Sequence, residues 1–172
     1  MNSAVRSDLE DRIRHELPHL TDEDVRSLAI IVKRLIDAYQ PECIYLFGSK
    51  ARGDYGPDSD FDLLVVVPDV APEERKRSRL AYQALRGTGT AADVLVWTER
   101  RFESRLHLAA SLPATVVREG RLLHAAAACS RRSGRDGPCG TARRHSGSVA
   151  AECHRRQRQE GGDLTQSLVH IA

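Results

Sequence analysis

Apolar positions along the chain change their period twice, and those changes mark out the elements. Val25, Leu28, Ala29, Val32, Leu35, Ile36 and Tyr39 recur three or four residues apart, so they form the apolar face of a helix. Thr21 with Asp24 gives this helix a capping-box start, and Gln40-Pro41 gives it a stop, because the residue before a proline is pushed out of helical geometry. A more charged helix is predicted ahead of it, over residues 4–17, stopping before Pro18. At residue 43 the helical period gives way to the continuous run Cys43-Ile44-Tyr45-Leu46-Phe47, whose β-branched and aromatic content suits a buried strand. Residues 59–67 and Ala92-Asp93-Val94-Leu95-Val96-Trp97 read the same way.

The segments between these strands read as turns and short helices. Gly48-Ser49 opens a helix start after the first strand, and Asp54-Tyr55-Gly56-Pro57-Asp58 turns the chain into the second. A helix is predicted over residues 73–86, and Gly87-Thr88-Gly89-Thr90 leads into the third strand. Thr98 is an N-cap for a helix through about Leu108, with Glu99 and Glu103 suited to its first turns. Residues 114–119 add a last helical turn ended by Gly120, and residues 121–124 finish extended. The order α-α-β-α-β-α-β-α predicts an α+β fold: a small mixed sheet with helices packed against it.

Composition divides the chain. Its 172 residues carry a formal net charge of +2, but residues 1–124 hold 18 Lys and Arg against 20 Asp and Glu, whereas the remainder holds 8 against 4. From about residue 125 there is no lysine and no aromatic residue, six of the twelve glycines are present, and apolar periodicity is almost lost. Such a segment cannot bury enough surface to fold alone. The organisation expected is an N-terminal helical segment over residues 1–19, a domain over 20–124, and a disordered or frame-shifted tail over 125–172. The slightly acidic domain is poorly suited to direct nucleic-acid binding, which draws on Lys and Arg meeting phosphates. No signal-like run and no stretch near the ~20 apolar residues of a membrane span occurs, so a cytoplasmic location with no membrane partner is expected.

The chemistry lies around the first two strands. A glycine at the start of a helix lets an anion approach the unpartnered backbone N–H groups, so Gly48 and Ser49 can hold phosphate oxygens. On the second strand, alternation puts Asp60 and Asp62 on one face and Phe61 on the other. Two carboxylates so placed repel unless a cation sits between them. Mg²⁺ takes carboxylates, water and substrate phosphates as ligands, and Asp93, near the start of the third strand, would complete a two-metal site. The implied chemistry is phosphoryl or nucleotidyl transfer.

Gly48, Ser49, Asp60 and Asp62, with the wider stretches Leu46-Phe47-Gly48-Ser49-Lys50-Ala51-Arg52-Gly53 and Ser59-Asp60-Phe61-Asp62-Leu63-Leu64-Val65, resemble the signature of the DNA polymerase β-like nucleotidyltransferases in their minimal branch. The resemblance covers roughly residues 20–124 and puts Asp93 at the third-carboxylate position. It implies that Asp60 and Asp62 hold two Mg²⁺ ions, that Asp93 holds the catalytic ion and helps remove the acceptor proton, and that Gly48 and Ser49 seat the β and γ phosphates of ATP. Many minimal members are antitoxins paired with a HEPN-domain ribonuclease toxin, some of which transfer AMP onto a toxin tyrosine. The resemblance therefore implies a protein adenylyltransferase with a HEPN partner. The alternatives are an antitoxin acting by binding alone and a transferase for a small hydroxylated molecule, as in aminoglycoside-modifying relatives.

Other residues are weighed on their own chemistry. Arg52 is favoured as a triphosphate contact over an ion pair with Asp54, and Lys50 is a weaker candidate for the same task. Tyr55 is placed on the surface, with a base contact as its functional alternative. The basic run Arg75, Lys76, Arg77, Arg79 is read as a solvated helix face. Asp58 does not open a calcium loop, because Leu63 stands where that loop needs glycine and Asp69 where it needs glutamate. Cys129, Cys139, Cys153 and His154 lack the close pairs of structural zinc sites.

Overall fold

Four strands form one sheet in the order Ala92–Thr98, Phe61–Val67, Cys43–Phe47, Arg121–Ala125, and that order puts Asp62 and Asp93 on neighbouring strands. The computed structural model describes residues 3–126, with side chains from residue 8. The tail reading, and Cys129, Cys139, Cys153 and His154 with it, lies outside the described residues. Helix α1 (Ser3–Glu16) and helix α2 (Asp22–Tyr39) precede strand β1 (Cys43–Phe47). The short helix α3 (Gly48–Arg52) follows directly, then β2 (Phe61–Val67), a 3-10 turn (Glu73–Lys76) and α4 (Arg79–Ala84). Strand β3 (Ala92–Thr98), α5 (Glu99–Glu103), α6 (Leu112–Glu119) and β4 (Arg121–Ala125) complete the order. β1 runs antiparallel to both β2 and β4, while β2 and β3 are parallel. The sheet is therefore mixed, as the pattern predicts.

Strand alternation divides the sheet into two faces. Ile44, Leu46, Leu63, Val65, Val94 and Val96 point into a core shared with Ile13, Leu17, Leu28, Val32 and Leu35 from α1 and α2. The capping box forms: the Thr21 hydroxyl accepts from the Asp24 amide at 3.1 Å, and Gln40 ends α2 in the left-handed region at φ 48°. On the opposite face Tyr45 stacks on Phe102 of α5, with ring centroids 5.9 Å apart. Residues 121–124, expected only to be extended, form β4 beside β1. Gly120 allows this junction, because a Cβ there would come within 2.8 Å of the Leu46 carbonyl and 2.5 Å of that of Val116.

Two helices are shorter than their periodicity predicts. The helix expected over residues 73–86 breaks at Arg77, which is extended (φ −107°, ψ 132°) and gives its carbonyl to the buried Tyr39 hydroxyl at 2.8 Å. That carbonyl also accepts from the Leu80 amide at 3.2 Å, so the tertiary bond is made at the break between the 3-10 turn and α4. The helix from Thr98, expected to reach about Leu108, ends at Glu103. There Ser104 donates to the Arg101 carbonyl at 3.0 Å and Ser111 to the Arg105 carbonyl at 2.6 Å, so side-chain hydroxyls compete with helical bonding. Strand β2 begins at Phe61, which leaves Asp60 one residue ahead of it.

Candidate active site

The strand-to-helix corner after Phe47 is built on a left-handed glycine. Gly48 has φ +73°, a conformation that costs an L side chain roughly 1–2 kcal/mol. Its backbone also lies against β2: a Cβ at this position would collide with the Asp62 carboxylate. Phe47, the residue before α3, provides no side-chain cap to the first N–H groups of this turn. Gly53, at φ +87°, closes the turn and donates to the Ser49 carbonyl at 2.8 Å.

Asp62 stands directly opposite Phe47 on β1 and opposite Asp93 on β3. Parallel pairing of β2 with β3 therefore brings together the two acids that lie on strands. Burial pushes the Asp62 carboxyl above its usual range, the charges of Asp93 and Asp60 push it further, and Arg52 pulls it back in part. Asp60 and Asp93 are both exposed. Among the described residues no three metal-ligating side chains converge closely enough to enclose an ion by themselves. The donor set is all carboxylate oxygen. It suits a hard cation that completes its shell with water and phosphate oxygens, and the mutual repulsion felt at Asp62 is what such a cation relieves.

Arg52 is at the rim. Its guanidinium lies 3.2 Å from the Asp54 carboxylate, both side chains are largely exposed, and its charge is felt at Asp62. The ion pair and a place beside the carboxylates thus coexist.

Lys50 is a different case. It is only 5% exposed, and its ammonium is 2.5 Å from Asp24 at the start of α2. The same ammonium lies 4.4 Å from the centre of the Phe61 ring and 4.7 Å from that of Tyr55. Its side chain is therefore committed to the interior and is removed from the triphosphate role considered for it. The Lys50 carbonyl accepts from the His19 ring at 2.8 Å, and Tyr55 donates to the His19 carbonyl at 3.0 Å. Tyr55 is thus half-buried against this support. Burial raises the Asp24 carboxyl, but its bonds to Lys50 and Thr21 outweigh that and hold it below the usual carboxylate range.

Asp24, His19 and Tyr55 are the supporting residues that sequence reasoning missed. The capping box located Asp24, but nothing in its spacing pointed to a partner 26 positions away.

A glycine corner pressed against a carboxylate that faces a second acid across parallel strands suits a phosphate beside a hard cation. Residues 28–123 match the nucleotidyltransferase domain family, and the chain belongs to that family. No curated protein matches the chain significantly. Among solved structures, a toxin–antitoxin with AMP-PNP is 26% identical over 57% of this chain and 73% of its own, with a TM-score of 0.41. A mutant of the toxin–antitoxin MntA-HpeT is 22% identical over 56% of this chain and 72% of its own, with a TM-score of 0.39. A structure from Sulfolobus solfataricus described as a nucleotidyltransferase is 21% identical over 70% of this chain and 87% of its own, with a TM-score of 0.38. Among the described residues no helix is long and apolar enough to cross a membrane.

Proposed function

We propose that this domain transfers AMP from ATP to a hydroxyl acceptor in a Mg²⁺-dependent reaction, and that the acceptor is a tyrosine of a HEPN-type ribonuclease toxin which the protein neutralises. The observation that carries the chemistry is the register of Asp62 opposite Asp93, with the Gly48 backbone against the Asp62 carboxylate. The acceptor comes from the sequence resemblance to minimal antitoxin nucleotidyltransferases.

In this reading Asp60, Asp62 and Asp93 would hold the Mg²⁺ ions, which would neutralise charge on the phosphates when bound. The amides of Gly48 and Ser49 receive the β and γ phosphates, and Arg52 adds a positive charge at the rim. The acceptor oxygen forms a bond to the α-phosphorus as the α–β bridging P–O bond breaks. Pyrophosphate leaves with the bridging oxygen, and the acceptor's proton passes to Asp93. Lys50 holds the corner from beneath without touching nucleotide. Co-expression with a HEPN-type toxin, followed by mass spectrometry of that toxin, tests the reading: the expected result is one added AMP on a tyrosine, and a neutralised but unmodified toxin would overturn it.

A further inference from the structure

On the carboxylate face, β3 continues beyond Asp93 as a partly open strip. Strand alternation places Asp93, Leu95 and Trp97 on the same side. Asp93 is exposed, Leu95 is 39% exposed despite its size, and Trp97 is partly exposed. At about 3.3 Å per residue, Trp97 lies about 13 Å along the strand from Asp93. The far end of this strip is cationic. The Arg101 guanidinium is 4.4 Å from the centre of the Trp97 ring, that of Arg105 is 5.8 Å away, and both arginines are exposed on or just after α5. β3 is also an edge strand of the sheet, and among the described residues no further strand pairs with this margin.

We infer that this strip binds an extended peptide segment of the acceptor protein, with its hydroxyl at Asp93, an aliphatic side chain on Leu95 and acidic side chains on Arg101 and Arg105. This rests on the proposed transfer to a hydroxyl and adds the sequence character of the acceptor. The order of chemistry along the strip supports a peptide: acid, then apolar, then cation, over a span longer than a small acceptor. In an extended peptide, alternate side chains fall on one face, so the aliphatic residue is two positions from the hydroxyl and the acidic ones about four. A nucleic acid fits less well, because the exposed Leu95 between Asp93 and the arginines offers no cation to regularly spaced phosphates. The charge complementarity at the far end sets specificity more than total affinity.

Trp97 is the only tryptophan in the chain, so its fluorescence reports occupation of the strip without catalysis. The probe is a palindromic peptide with a central tyrosine, leucines two residues to either side and paired glutamates at both ends, titrated into the full chain. A saturable change in Trp97 emission is expected, at least tenfold tighter than for the same peptide with lysines at its ends. Arg101→Glu with Arg105→Glu should reverse that preference while leaving the circular dichroism unchanged. Equal binding of the two peptides, no response from either, or tighter binding of a short RNA would overturn the inference. Transfer is scored separately. AMP added equally to acidic and basic peptides would remove the strip and leave the enzyme reading standing. Charge-selective binding without AMP transfer to the tyrosine would keep the strip and remove the tyrosine-acceptor reading.

Discussion

The backbone of Gly48 is packed so closely against Asp62 that a methyl group at position 48 would occupy the space of the Asp62 carboxylate. The phosphate-binding corner and a candidate metal ligand thus share one contact, made possible by the absence of a side chain. Gly48→Ala meets both a positive φ and this collision. The Asp62 side chain can swing away, so the expected protein folds with a Tm only a few degrees lower but with its carboxylate displaced. Misplacement of about 1 Å can cost roughly 100-fold in rate. Loss of transfer on that scale, with unchanged circular dichroism, is the expected result; parent-like turnover would show that the contact has no catalytic consequence.

The Lys50–Asp24 pair supports the same corner from the interior. Asp24→Ala leaves a buried ammonium uncompensated, and breaking such a pair costs about 3–5 kcal/mol. The expected loss in urea unfolding is at the lower end of that range, because the Asp24 side chain keeps some exposure. Replacing both residues, with Asp24→Leu and Lys50→Met, should recover most of it. The folded Asp24 carboxyl is held below its ordinary range, so its contribution is present above the unfolded value and lost as pH falls through the depressed one. A Lys50→Met protein as stable as its parent across that range would contradict this account.

Much of this arrangement could be read from the sequence, for identifiable reasons. Val25 to Tyr39 kept a helical period, and Leu63 to Val67 stayed apolar on both faces, because both segments lie in the core and their side chains had to satisfy one local geometry. The corner at Gly48 was legible because a positive φ and close packing both demand glycine. What escaped was tertiary. Lys50 is the weaker phosphate candidate by sequence, and its enclosure by Asp24, Phe61 and Tyr55 is a tertiary fact that its neighbours in sequence do not reveal. The helix over residues 73–86 breaks at the extended Arg77, whose carbonyl meets the Tyr39 hydroxyl, a contact that periodicity does not encode.

Asp62 gives a pH signature of opposite sign to that of Asp24. Burial and its acidic neighbours raise its carboxyl above the ordinary range, so the folded state holds a proton that the unfolded state releases. In metal-free buffer the parent should lose stability as pH rises from the ordinary carboxylate value through the raised one. Asp62→Asn lacks this loss. The Tm difference between variant and parent should therefore widen across that window and level off above it, and Mg²⁺ should narrow it by stabilising the parent. A difference that does not change with pH would remove the repulsion argument.

Arg52 separates binding from folding. Its pair with Asp54 is exposed, and such pairs contribute little to stability. Arg52→Ala should keep the parent's Tm while raising the KM for ATP roughly tenfold, the scale expected from losing one charge-assisted contact. An unchanged KM would assign Arg52 to the ion pair alone.

If the facing acids transfer a nucleotide, Asp93→Asn removes that transfer with little change in shape. Toxin co-expressed with the parent or with this variant would be purified in complex and incubated with ATP labelled at the α-phosphate, and label on the toxin would be measured. Both proteins should hold the toxin, the parent should label a tyrosine, and Asp93→Asn should add no label and fail to protect the cell. Full protection by Asp93→Asn without label on the toxin, or labelling equal to the parent's, would contradict transfer by the facing acids.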